Sequence, residues 1–259
     1  MKQILYLSIV VVLFFSSCGV PYKQVPYFVD LKDSGVVQEQ ILNLKPLKIQ
    51  KDDILAITVS SLNPEASAIF NLGNTTTMQS ASTSGVDPRL TANGFMVDGN
   101  GAIQLPLIGN IKVEGLSTIE ARELIQSKLL AYLKEPVVSL HLVNFKVSVF
   151  GDVARPGVYP VQNEHVSVNE ALSMAGDLNI TALRKNVLLI RENQGKREYI
   201  RLNMQSKDLF NSPYYYMQNN DQLYIQPGNA KYSSVDSSYR NVSIILSALS
   251  VIALLISRF

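Results

Sequence analysis

The chain has 259 residues, 47% of them apolar and 17% charged, with a net charge of +2 and one cysteine, Cys18. That length allows one large domain or two small ones, and a lone thiol excludes an intrachain disulfide. Acids and bases are interspersed, with no basic or aromatic-basic block, which excludes the electrostatic footprint of a nucleic-acid-binding protein.

Residues 1–17 read as a lipoprotein signal peptide. Met1-Lys2-Gln3 is a short positive start, and Ile4 to Phe15 is an almost unbroken apolar stretch of twelve residues, interrupted by Ser8 and too short to span a bilayer comfortably. Ser16 and Ser17 then precede Cys18 and Gly19. This order resembles a bacterial lipobox, in which the cysteine thiol is acylated and Cys18 becomes the first residue of the mature chain. Phe15 stands where leucine is commoner. The plainer alternative is an ordinary signal peptide with an incidental cysteine. Residues 18–44 have mixed polarity and read as a tether or extended lead-in.

Organised patterning begins at Leu47. Leu47 to Ile49 and Ile54 to Val59 are strand-like, with Lys51-Asp52-Asp53 as a turn between them. Residues 71–94, rich in Ser, Thr, Asn and Gly, predict a long exposed loop. Met96-Val97 and Ala102 to Leu105 suggest a hairpin across the Asp98-Gly99-Asn100-Gly101 turn, with a break at Pro106 to Gly109 and a short strand at Ile111 to Val113. Ser117 and Glu120 form a capping box that opens a helix, with Ala121, Leu124, Ile125, Leu129 and Tyr132 on its core-facing side. Alternation from Val138 to Val149 predicts strands with a change of face near Asn144. Gly151 and Pro156-Gly157 then mark turns. Ser167 and Glu170 make a second capping box before a short helix ending at Gly176. Strands follow at Val187 to Arg191, Tyr199 to Leu202 and Leu223 to Ile225. Each half packs one amphipathic helix on several short strands, an α+β arrangement occurring twice.

Val242 to Ile256 has no charge over fifteen residues and lies between Arg240 and Arg258. As a helix it measures about 22 Å, short for a typical bilayer but matched to a thinner one. Residues 242–257 are therefore expected to form a C-terminal transmembrane helix. Ser243, Ser247, Ser250 and Ser257 share one face of it. That face suits close packing or a wet lumen. Serines bonding back to carbonyls of their own helix are the equal alternative.

No catalytic constellation is visible. His141 lies between core-facing Leu140 and Leu142 and should point to solvent or a partner, and His165 falls in a loop. Asp52 and Asp53 are turn residues whose adjacent side chains diverge, and no G-x-S-x-G elbow sets up a serine. Neither a metal nor a cofactor is called for.

Several of these stretches resemble a known family. Leu47-Lys48-Ile49-Gln50-Lys51-Asp52-Asp53-Ile54-Leu55 resembles the opening of the polysaccharide biosynthesis/export domain. Gly99 through Gly115, followed by Leu116-Ser117 and Glu120-Ala121, resembles its most specific stretch, which includes Gly109. Val149 through Tyr159, with Gly151, Pro156 and Gly157, resembles the start of an SLBB β-grasp domain. Glu170-Ala171-Leu172 to Gly176 and Asn220-Asp221 to Ile225 continue that match. Asp52 and Asn220 replace the glycine usual before Asp53 and Asp221, so those two turns are expected to be strained, asparagine entering the left-handed region more readily than aspartate, and Asp177 replaces a second glycine after Gly176.

The resemblance implies an export domain at 45–144, one SLBB domain at 145–227, a linker at 228–241 and the membrane helix. It implies a non-enzymatic lipoprotein of the Gram-negative outer membrane, anchored through Cys18 with its bulk in the periplasm. It further implies a homo-oligomeric ring carrying capsular or extracellular polysaccharide, with an inner-membrane polysaccharide co-polymerase, with or without a tyrosine-kinase domain, as partner. The rival is a lipid-anchored periplasmic protein that binds a glycan or small ligand and forms no channel.

Overall fold

The computed structural model describes residues 25–32, 35–44, 46–74, 94–193, 195–235, 243–247 and 249–250. The first half begins with β1 (Ile54–Ser60), α1 (Pro64–Ala68) and a 3-10 turn over Ile69–Asn74. It continues through β2 (Phe95–Met96), β3 (Ala102–Leu105), β4 (Gly109–Lys112), α2 (Thr118–Leu129) and β5 (Val137–Leu142). The second half comprises β6 (Lys146–Gly151), β7 (Gly157–Pro160), α3 (Val168–Met174), β8 (Ala182–Asn193), β9 (Lys196–Leu202), a 3-10 turn at Lys207–Asn211, β10 (Gln222–Pro227) and α4 (Asn229–Val235).

In the first half β1 runs between β2 and β5, antiparallel to both. Its alternation buries Leu55, Ile57 and Val59, and β5 answers with Val138 and Leu140. His141 faces solvent, as its flanking leucines require. α2 lays Ala121, Ile125 and Leu129 on this sheet. Tyr132 falls past the helix end and stays about half exposed, its hydroxyl donating to the Leu107 carbonyl. Both capping boxes form: Ser117 and Glu120 at α2, and Ser167 and Glu170 at α3. The Ser117 amide and Lys48 hold the exposed Glu120 carboxyl down to about 2, so its box persists into acid.

The hairpin expected across residues 98–101 forms one turn later. β3 pairs with β4 across Pro106 to Ile108, while β2 pairs with β1. A turn does close at 98–101, where the Asp98 carboxylate accepts the Asn100 and Ala102 amides and the Asp98 amide donates to the Ala102 carbonyl, but no β2–β3 ladder follows it. Leu107, at φ +61, makes the tight turn that polarity alone would place elsewhere. Leu47 and Ile49 are buried but form no ladder: Lys48 makes only an isolated bridge to Ser117.

The second half is one five-stranded sheet in the order β7-β6-β10-β8-β9, covered on one face by α3. β6 and β10 are parallel and the other pairs are antiparallel. Val147, Val149, Val187, Leu189, Leu223 and Ile225 are fully buried beneath α3's Val168, Ala171 and Leu172. Two apolar cores result, and Leu142, where the halves meet, packs on both.

The membrane helix expected over 242–257 is not found among the described residues. Within that span helix is described only at 243–247 and 249–250, and no described helix is long and apolar enough to cross a membrane. Residues 248 and 251–259 lie outside the described residues.

Candidate functional site

The two halves meet at a pair of matching turns. Gln50-Lys51-Asp52-Asp53 and Gln218-Asn219-Asn220-Asp221 have the same build. In each, the aspartate carboxylate accepts the amide of the glutamine three residues earlier, at 2.7 Å. In each, the aspartate's own amide donates back to that glutamine's carbonyl. The third residue is left-handed in both, Asp52 at φ +66 and Asn220 at φ +65, and its amide joins the neighbouring segment at Val97 and Lys146 respectively. Asp177, the third position expected to lack its glycine, has φ +74.

A left-handed L-residue costs about 1–2 kcal/mol, and glycine's extra chain entropy offsets about half of the relief on removing it. Asp52→Gly is therefore expected to raise stability by about 0.5–1 kcal/mol in urea unfolding. Asp177→Gly should gain nothing, because the Asp177 carboxylate also accepts the Tyr27 hydroxyl and the Leu178 amide.

The turns bind each other. Asn219 donates its side-chain amide to Asp53 Oδ1 at 2.7 Å, and its own Oδ1 accepts the Lys146 amide at 3.1 Å. Asn144, in the segment joining the halves, accepts the Ile54 amide and donates to the Asp52 carbonyl, both at 2.9 Å. Asp53 is about 1% exposed, and burial raises its carboxyl pKa while the Gln50 and Asn219 bonds oppose the rise. Asp221 is also about 1% exposed and is paired with Arg191, whose Nε and one terminal nitrogen reach both carboxylate oxygens at 2.7–3.3 Å. Burial raises the Asp221 carboxyl too, against the pull of Arg191. Asn219→Ala strips the bond from Asp53 Oδ1 and should cost about 1–3 kcal/mol. Limited proteolysis should then cut the 143–146 segment faster than in the parent chain.

The other candidate turn residues lie apart. Gly99 and Gly109 stand in open space, although Gly109 takes φ +84. Gly151 ends β6 at φ +101, with a Cβ there falling 2.1 Å from the Ile225 carbonyl oxygen. Pro156 and Gly157 turn β6 into β7, and the Tyr159 hydroxyl closes this turn by donating to the Arg155 carbonyl.

Residues 26–32 and 35–43 run along the second half. Phe28 and Val29 donate their amides to the Met204 and Gln205 carbonyls, and Phe28 stacks on Phe210 with ring centroids 4.7 Å apart. Asp30 accepts Ser206 and Lys207, Glu39 pairs with Lys207, and Asn43 donates to the Phe210 and Ser212 carbonyls. Tyr27 covers the Arg184 guanidinium at 5.5 Å, and burial together with its bond to Asp177 pushes its phenol pKa upward. Tyr27→Phe should loosen this strap by about 1 kcal/mol, read as several-fold faster hydrogen exchange at Phe28 and Val29.

Beyond β10, α4 is held by Lys231, whose ammonium meets buried Asp152 at 3.1 Å. Asp152 also accepts Asn179 and Thr181; burial works to raise its pKa, but these bonds and Lys231 hold it below the usual range. Of the serine stripe, Ser247 donates to the Ser243 and Ile244 carbonyls and Ser250 to the Ser247 carbonyl. Cys18 and Ser257 lie outside the described residues.

The chain is thus a tandem: an α+β half opening on the Gln50-Lys51-Asp52-Asp53 turn, then a half built on one five-stranded sheet with α3 on its face. The first half is similar to the polysaccharide biosynthesis/export protein family. That family's model matches residues 43–143, and the SLBB domain model matches residues 145–225. Two curated relatives are each called "EPS I polysaccharide export outer membrane protein EpsA". The one from Ralstonia nicotianae is 31% identical over 142 residues, 52% of this chain and 36% of the relative. The one from Ralstonia solanacearum is 28% identical over 152 residues, 56% of this chain and 38% of the relative. The matched region thus spans little more than a third of the length of either relative.

Proposed function

We propose that the chain is a subunit of an oligomeric outer-membrane channel that exports capsular or extracellular polysaccharide. The observation that carries the reading is the tandem of export and SLBB domains, joined through a buried junction and flanked in sequence by two apolar runs. The names of the two relatives point the same way.

In this reading acylated Cys18 anchors the chain, domains at 45–144 and 145–227 stand in the periplasm, and 242–257 enters the outer membrane. Copies form a ring, with Ser243, Ser247, Ser250 and Ser257 toward the lumen or the adjoining helix. An inner-membrane polysaccharide co-polymerase spans the rest of the periplasm. Transport is passive, with no bond made or broken and no cofactor used.

Deleting the coding sequence from the native host should abolish surface polysaccharide and leave polymer inside the cell envelope. The parent chain should restore export, while Cys18→Ala and a chain lacking 241–259 should not. Unchanged surface polymer in the deletion strain would contradict the reading.

A further inference from the structure

We infer that the open face of the five-stranded sheet is a landing surface for an acidic polysaccharide, whose sugar rings stack on Phe150, Tyr224 and Tyr199 and whose carboxylates meet Arg201 and Lys146. The inference rests on the reading of polysaccharide as the cargo.

The pleat dictates which side chains share this face. Val147, Val149, Leu223 and Ile225 are buried beneath α3, so their neighbours along β6 and β10 point the other way. The register then sets the open-face residues in rows. Val158, Ser148, Gln222, Ile190 and Tyr199 stand opposite one another across the sheet, and Phe150, Tyr224, Leu188 and Arg201 form the next row but one. The face is open to solvent: Val158 is 61% exposed, Phe150 37% and Tyr199 62%.

Three of these side chains are aromatic. Phe150 and Tyr224 sit side by side with ring centroids 5.4 Å apart. Tyr199 stands two strands beyond Tyr224, about 10 Å across the sheet. Beside them lie the Gln222 amide, the Ser148 hydroxyl and the Asn186 amide, which donates to Gln226 Oε1 at 2.8 Å. A pyranose ring has an apolar C–H face and a rim of hydroxyls, so aromatic rings set among amides and a hydroxyl match both of its surfaces. The aliphatic residues at the centre, Leu188 and Ile190, are half-buried and make no broad apolar patch of the kind a protein partner fills.

Charge decides the class of polymer. Arg197, near Tyr199, is neutralised by Glu192 at 2.5 Å. Arg201 donates to the neutral Asn186 amide oxygen at 2.9 Å, and neither it nor Lys146 is paired with a carboxylate among the described residues. The open face thus carries two uncompensated cations, one of them a guanidinium fork shaped for a carboxylate. A sugar chain bearing uronate groups supplies the rings and the charge together. A second copy laid on this face through its own open face would set these cations against each other.

The test titrates the full acylated chain in detergent with oligogalacturonides and with neutral dextran oligomers of matching length, read by calorimetry. The parent chain should bind the acidic oligomers more tightly, with an affinity that falls as salt is added. Tyr199→Ala should weaken their binding about tenfold. Arg201→Gln should remove the preference for acidic oligomers and leave the affinity for dextran unchanged. Both side chains are exposed, so neither substitution opens the core. Leu130→Ala, on the export domain, should bind as the parent does. Absence of binding to oligogalacturonides, or equal binding by every variant, overturns the inference. A loss of assembled mass in Tyr199→Ala with binding intact assigns the face to contact between copies and overturns it too. The channel reading is judged separately, on the surface polymer of the deletion strain.

Discussion

Replacing Arg191 with methionine should destabilise the protein by about 3–5 kcal/mol, the cost of leaving a buried carboxylate without its counter-ion. Methionine fills much of the arginine stem's space, so the loss reports charge more than volume. Asp221 would keep the Gln218 amide but lose its three guanidinium bonds, and the Tyr216 carbonyl would lose its donor. The pH dependence fixes the cause. The Asp221 carboxyl already has a raised pKa, and removing Arg191 removes the main influence lowering it. A group whose folded pKa is raised favours the folded state below its unfolded pKa and loses that contribution as pH rises through the folded value. The gap between variant and parent should therefore be widest at neutral and higher pH and narrow on acidification. A gap that is constant with pH would assign the loss to packing. Adding Asp221→Asn to the methionine variant should recover part of the stability, because it removes the buried charge.

Gly151→Ala should be the most damaging single methyl addition on the sheet. At φ +101 an L-residue is strained, and its Cβ would stand 2.1 Å from the Ile225 carbonyl oxygen and 3.0 Å from the Ile225 nitrogen. Both are backbone atoms of β10, so no rotamer change makes room. The strands must separate at their ends, which costs the bond from the Asp152 amide to the Ile225 carbonyl, 2.9 Å long in the parent. Strain and the lost bond together amount to about 2–4 kcal/mol. Gly99→Ala is the control: nothing lies within 4 Å of the place its added methyl would take, and the melting temperature should hardly change.

Local features were the legible part of this fold. Ser-x-x-Glu marks both helix starts because a capping box is complete within four residues. The burial of alternate residues along β1 and β5 follows from a period of two. The left-handed turns at Asp52 and Asn220 were visible as departures from the family's glycines, whereas Asp177 showed the missing glycine and not its φ of +74. Contacts between distant residues were not legible. Asn219 reaches Asp53 across 166 positions, and Tyr27 reaches Asp177 across 150. No local propensity encodes either contact. The sequence did hold one unused signal, the repeated Gln-x-x-Asp at 50–53 and 218–221, which is the shared frame of the two junction turns. The β3–β4 hairpin was misplaced by one turn because Asp98 and Gly101 advertise a turn as strongly as Pro106 does, and only pairing decides which one joins two strands. For the serine stripe, spacing showed a shared face, whereas the back-bonds of Ser247 and Ser250 depend on rotamers that spacing does not specify.

The proposed channel is tested most directly by the mass of the detergent-extracted, acylated protein with and without residues 241–259. The account predicts a large ring for the full chain and loss of its membrane-spanning part on truncation. A monomer in both forms would contradict the channel and leave a lipid-anchored binding protein in its place.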